Sequence, residues 1–264
     1  MFEKEQQVKE VLFFMKLKTD LVIMGSGMAG ISAADAALAR GKKVIVFEKK
    51  PYQGGAVSNC PIAYVSIRKD RAFQNAAFHL LYEYSNYNAN PSVIRQYVNN
   101  SWRTKEYIER LGIKMIPTQQ LELEDIGDPK YADGFPPAVM AHGDFYLVPG
   151  RGKGHGGALI CLNAMKDIIK RGGQYMLNTP ITDILVDENG KVTGVKAVNN
   201  ETKEEIEVEC ESVIIASGGI MEDREMMKKY TGFTFTDYNC SGDGNVLFNC
   251  YPNSGQTGDG QKLA

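Results

Sequence analysis

The chain has 264 residues, 43% of them hydrophobic, and a formal net charge of −2. That composition supports one large or two modest globular domains with a real core, and the balanced charge leaves no electrostatic footprint for nucleic acid. Apolar runs fall far short of the roughly 20 residues of a membrane span. The 5 cysteines are odd in number and form no C-x-x-C pair, and His79, His142 and His155 show no ligand spacing, so neither a disulfide framework nor a metal site is expected.

In chain order, the first residues are charged on both sides of a short apolar patch, Val11–Met15. Acids in front of the patch and no small-residue cleavage site behind it argue against a secretory signal. Residues 1–14 are expected to be a frayed extension, and the setting cytoplasmic. Leu21–Met24 is an apolar run of the kind a buried parallel strand needs. Gly25-Ser26-Gly27-Met28-Ala29-Gly30 follows as a G-x-G-x-x-G loop. A helical pattern comes next, with Ile31, Ala34 and Leu38 on one face, Gly41 as its stop, and a second apolar strand, Val44–Phe47, ending at Glu48.

Each part of this β-α-β unit has a physical role. Gly25 permits the tight turn, Gly27 lets a pyrophosphate approach the backbone, and Gly30 lets the helix lie against the sheet. The helix start presents free N–H groups and about half a positive charge to phosphates. The small side chains of Ala29, Ala33, Ala34 and Ala37 favour close packing, and the Glu48 carboxylate suits a ribose diol. The expected ligand is a dinucleotide.

Lys49 and a loop built on Gly54-Gly55, with Ala56, Ser58 and Asn59 as small neighbours, come next. A nicotinamide unit does not need this loop, whereas an FAD unit often has one. On these residues the chain resembles the fumarate reductase/succinate dehydrogenase flavoprotein family, whose first unit ends in Glu-Lys followed by a Gly-Gly-x-x-Ser loop. In membrane-bound members a histidine in this loop carries FAD covalently. No histidine lies between residues 50 and 78 here, so the resemblance implies FAD held non-covalently.

Residues 68–84 space Ala72, Phe73, Ala76, Ala77, Leu80 and Leu81 as an amphipathic helix. Asn90-Pro91 starts another, continuing through Trp102 and Ile108 to a stop at Gly112. The aromatics of this stretch are expected to pack rather than to bind. Residues 118–149 read as irregular, with Glu122, Glu124 and Asp125 as a solvated face and His142 near Asp144 as a surface histidine. Residues 149–157, PGRGKGHGG, fail the P-loop pattern because Gly154 follows Lys153, and read as a turn before a helix that turns Leu159, Leu162, Met165, Ile168 and Ile169 inward.

From Gln174 the pattern is β. A short strand at 174–177 precedes a three-stranded meander, Ile181–Val186, Lys191–Val198 and Thr202–Cys210, with Asn189-Gly190 as a hairpin signal. A buried strand, Ser212–Ala216, then closes on Ser217-Gly218-Gly219. The resemblance implies that Asn178-Thr179-Pro180-Ile181 offers a backbone group to the adenine. It implies that Ala216-Ser217-Gly218-Gly219 crosses the flavin pyrophosphate, and that Thr257-Gly258-Asp259-Gly260 puts Asp259 near the flavin. Ser241-Gly242-Asp243-Gly244 is an echo of that motif, read as a turn.

The expected fold is α/β, a FAD/NAD(P)-binding Rossmann-like domain with a three-stranded β-meander and an inserted helical segment. Its parts are 19–60 and 151–264 for FAD and 61–150 for the insertion. The family's substrate-clamping domain and C-terminal segment are expected to be absent, so no catalytic residue is named. The resemblance implies a flavoenzyme passing hydride from flavin N5 to an α,β-unsaturated carboxylate, or the reverse, with an anionic substrate and an electron-donor protein as partners. A nicotinamide enzyme and an FAD-binding module without activity of its own are the alternatives.

Overall fold

The computed structural model describes residues 14–59, 63–114, 116–119, 144–147, 156–232 and 255–264. They form two compact units, one of the described residues up to Ser58 and from Ala164 onward, the other of those between Asn59 and Asn163.

The first unit holds two four-stranded sheets. Strands β1 (Phe14–Lys18) and β2 (Leu21–Met24) precede helix α1 (Met28–Leu38) and strand β3 (Val44–Phe47). Helix α5 (Gly156–Lys170) leads into β7 (Gln174–Met176), β8 (Ile181–Val186), β9 (Val192–Val198), β10 (Glu205–Glu209) and β11 (Ser212–Ile215). One sheet is parallel, in the order β11-β2-β3-β7; the other runs β1-β10-β9-β8. Val22, Met24, Ile45 and Phe47 turn one face of the parallel sheet to Ile181, Val195, Ala197, Ile206 and Val208 of the meander. The opposite face carries Ile23, against which the α1 start is set at Gly30. Burial on both faces is why β2 and β3 are continuously apolar.

The meander is present, and β1, to which the sequence pattern assigns no element, adds a fourth strand to it; of the expected frayed extension 1–14, only Phe14 is among the described residues. β1 runs parallel to β10 and β2 parallel to β11 in one unbroken register. The chain crosses between the sheets at Thr19, whose N–H donates to the Glu209 carbonyl at 3.0 Å. Met15 and Leu17 pack inward, while Lys16 and Lys18 pair with Glu207 and Glu209 outside. The hairpin at 187–190 is closed by Gly190 N–H to the Asp187 carbonyl, 3.0 Å, with glycine alone at positive φ (+77°).

The second unit contains α2 (Arg71–Tyr84), α3 (Pro91–Asn100) and α4 (Trp102–Arg110). Asp70 and Asn90 cap α2 and α3 by accepting from Phe73 N–H and Ser92 N–H. The periodic run read as one helix breaks at Ser101, whose hydroxyl accepts the Ile67 N–H at 2.9 Å. Phe73, Ala77, Val98 and Ile67 form the core. A three-stranded antiparallel sheet, β4 (Ala63–Ser66), β6 (Asp144–Leu147) and β5 (Ile116–Gln119), corrects the reading of 118–149 as wholly irregular. In α5 the buried face is Ile160, Cys161, Ala164 and Ile168, and Ile169 is exposed, so the helix is rotated from the expected face. His142, His155, Arg151, Lys153, the acids at 122–125 and Ser241–Gly244 lie outside the described residues.

The remaining helices are α6 (Arg224–Thr231), capped by Asp223, and α7 (Asp259–Leu263). No helix among the described residues is long and apolar enough to cross a membrane.

Candidate functional site

A cavity of about 470 Å³ opens at the carboxyl ends of β2, β3 and β11, within the first unit. The ends of parallel strands are where α/β sheets place ligands. Gly25, Ser26, Gly27, Met28 and Ala29 line it on one side, Glu48, Lys49, Gly54 and Gly55 on another, and Ile181, Ala216, Ser217, Gly218 and Asp259 close it. Most residues singled out in the sequence therefore meet at one place. Gly30 lies buried behind the loop, Ala56 and Asn59 sit on the 3₁₀ turn Gly55–Asn59, and the Ser58 hydroxyl donates to the Gly55 carbonyl of that same turn at 2.7 Å.

The glycine loop is fixed by close backbone approach. A Cβ on Gly30 would stand 1.9 Å from the Gly25 carbonyl oxygen, and one on Gly25, at φ +102°, 2.5 Å from that of Ala216. A Cβ on Gly27 would meet nothing within 4 Å, so that position faces open space. No side chain caps α1, and no acid occupies its first turn, leaving its N–H groups and dipole directed at the cavity.

Glu48 is buried, 6% exposed. Its Oε2 accepts the Ser26 N–H at 3.0 Å and the Ser26 hydroxyl at 2.7 Å, and its Oε1 accepts the Lys50 N–H at 3.0 Å. The Ser26 hydroxyl also accepts the Gly54 N–H at 3.0 Å. The sequence reading assigned Glu48 to a ribose diol; with these bonds made, Oε1 retains a lone pair for one.

Lys49 donates to Asp259 Oδ2 at 2.6 Å and to the Thr257 hydroxyl at 2.5 Å. Burial pushes the Asp259 carboxyl up, but its bonds to Lys49 and Thr257 outweigh that and hold it below the ordinary value. The segment carrying Asp259 is pinned from behind. The Gly258 N–H donates to the Gly219 carbonyl at 3.1 Å, and the Gly260 N–H to the Ser217 hydroxyl at 3.2 Å. Asn178, at φ +57°, donates its N–H to the Lys50 carbonyl at 2.8 Å, which sets Thr179, Pro180 and Ile181 at the cavity wall.

Met24, Phe47, Val57, Ile215, Gly255 and Gln256 also line the cavity and are not among the residues singled out in the sequence. Thr179 and Pro180 line it as part of the expected Asn178–Ile181 segment; Gly255 and Gln256 carry no local signal. Among the described residues no group of three His, Cys, Asp or Glu stands together as a metal site.

A family model described as FAD binding domain matches residues 20–247. The chain belongs to the FAD binding domain family. It is 31% identical over 232 residues to the NADH:fumarate oxidoreductase of Klebsiella pneumoniae (strain 342), covering 83% of this chain and 23% of that protein. It is 25% identical over 221 residues to the vinyl phenol reductase of Lactiplantibacillus plantarum, covering 81% of this chain and 40% of that protein. Among solved structures, the open conformation of a flavocytochrome c3 fumarate reductase superposes with a TM-score of 0.71 at 19% identity, over 94% of this chain and 40% of that one. The sequence resemblance to fumarate reductase flavoproteins thus holds, and FAD is the cofactor. The chain spans less than half the length of these relatives.

The residues present fit that cofactor. The cavity volume falls in the usual range for such ligands, roughly 300–1,000 Å³. Open space at Gly27 beside an uncapped helix start suits a diphosphate. Glu48 Oε1 suits a ribose hydroxyl, and Met24, Phe47, Ile181 and Ile215 supply apolar wall.

Proposed function

We propose that this chain is the FAD-binding portion of a flavin-dependent oxidoreductase of the fumarate-reductase type, acting on an α,β-unsaturated carboxylate or forming one. The observation that carries the reading is the convergence of the Gly25–Gly30 loop, Glu48 and the Ala216–Gly218 strand end on one cavity. FAD supplies the two-electron chemistry when bound. Residues 19–60 and 151–264 form its binding parts, and 61–150 the insertion between them.

The chain's own residues bind and orient. Met28 and Ala29 at the α1 start face the diphosphate with N–H groups, and Gly27 leaves the approach clear. Glu48 accepts from the ribose. The Ser217 hydroxyl, already accepting from Gly260 N–H, has its own proton to donate toward the diphosphate. Lys49 and Asp259 neutralise one another at the wall, which keeps a net charge away from the apolar part of the cavity.

The substrate class rests on the relatives named for fumarate, acrylate and urocanate. An electron-donor protein and a cytoplasmic setting complete the proposal. The second reading, a binding module that turns over only alongside further polypeptide, is favoured by the share of the relatives that the chain spans.

The test is to load the protein with FAD, supply a dye-coupled reductant, and compare an unsaturated dicarboxylate with an uncharged enone. Dye oxidation on the carboxylate alone is the expected result. Oxidation on the enone alone overturns the substrate class, and no turnover with FAD bound favours the module.

A further inference from the structure

Resting on the reading of the cavity as a cofactor site, we infer that Ser26 is a positioning residue that couples the two glycine loops, acting on the cofactor only through Glu48 and Gly54. Its side chain is fully buried, with 0% exposure. Its N–H and its O–H both donate to Glu48 Oε2, at 3.0 and 2.7 Å, so neither donor is left for a ligand. The same hydroxyl accepts the Gly54 N–H at 3.0 Å.

Two consequences follow from this geometry. Oε2 receives two donors and is filled, so the carboxylate is pinned in the rotamer that leaves Oε1 to accept from a ribose hydroxyl. Gly54, held by its N–H at φ +102°, starts the 3₁₀ turn by accepting the Val57 N–H at 3.1 Å. One buried oxygen therefore sets both the acceptor at the end of β3 and the turn that lines the cavity beside it. Groups that fix a binding residue from behind act on affinity without touching the ligand.

The experiment uses the intact chain and titrates FAD by flavin fluorescence into wild type, Ser26→Ala, Glu48→Gln and the double variant, with amide exchange followed at Gly54. Ser26→Ala is expected to weaken FAD by about tenfold, the scale of a lost hydrogen bond to a charged group. Glu48→Gln should weaken FAD less in the Ser26→Ala background than in wild type, because the two variants remove one shared bond. The Gly54 amide should be protected in wild type without FAD and exchange faster in Ser26→Ala.

Ser26→Ala binding within about twofold of wild type, or variant effects that simply multiply, overturns the coupling. Should Ser26→Ala fail to fold, wild-type exchange at Gly54 decides: open-loop exchange overturns the inference and protection upholds it. A wild type that takes up no FAD overturns the cofactor reading itself; wild-type uptake with an unaffected Ser26→Ala overturns only this inference.

Discussion

Ser26 and Glu48 lie 22 residues apart, and both donors of Ser26 converge on one oxygen of the Glu48 carboxylate. That oxygen is fixed by the fold before any ligand arrives, and the other also holds the Lys50 N–H. Glu48→Gln must turn an NH₂ toward one of these sets of donors. The expected cost is about 1–3 kcal/mol, the penalty of an unpaired buried polar group, read as a lower melting temperature without FAD. An unchanged melting temperature would show that the carboxylate is not a structural acceptor.

Gly27 and Gly30 separate binding from folding. Gly30→Ala drives a methyl into the Gly25 carbonyl and should destabilise the chain by about 2 kcal/mol or more. Gly27→Ala adds its methyl to open space at an ordinary φ of −67°. It should change stability by about 0.5 kcal/mol or less while weakening FAD, as thermal melts and FAD titration would measure.

The Lys49–Asp259 pair gives a pH dependence with a definite sign. Because the folded carboxyl lies below its ordinary value of 3.8, its contribution to stability is complete above that value and is lost as pH falls through the folded one. Asp223, bonded to Lys262, is lowered in the same direction. Asp259→Asn should lower stability near neutral pH by up to about 1 kcal/mol, the scale of a partly exposed pair. The curves of wild type and variant should then converge in acid, as denaturant melts across pH would show.

Arg171 ties α5 to α1. Its guanidinium donates to Asp35 Oδ1 at 2.5 Å, to the Asp35 carbonyl at 3.1 Å and to Asp167 at 3.0 Å. A lysine ammonium cannot reproduce this planar fork. Arg171→Lys should therefore lose about 1–2 kcal/mol in thermal or denaturant melts despite keeping the charge.

What the sequence made legible is what local chemistry determines. Gly25–Gly30, the strands on either side and the acid at Glu48 are read from neighbours in the chain. β1 was lost because its partner, β10, lies far along the chain, and the FMKLK alternation is too short to stand alone. β4, β5 and β6 are short strands whose pairing closes a sheet across long connections. Ser101 looks like any serine in a helical run until Ile67 N–H is found on it. Within the site, the Ser26 bonds to Glu48 and Gly54, and the Lys49 bond to Asp259, depend on which strand ends meet; no spacing encodes them.

The cavity between Gly25–Gly30, Glu48 and Ala216–Gly218 is proposed to hold FAD without a covalent bond. The most direct measurement is equilibrium titration of the intact protein and its Gly27→Ala variant with FAD, followed by denaturation and analysis of the released flavin. The account predicts saturable binding to wild type, weaker binding to a folded Gly27→Ala, and release of intact FAD. Equal binding by both proteins, no binding by a folded wild type, or flavin that stays on the denatured chain would contradict it.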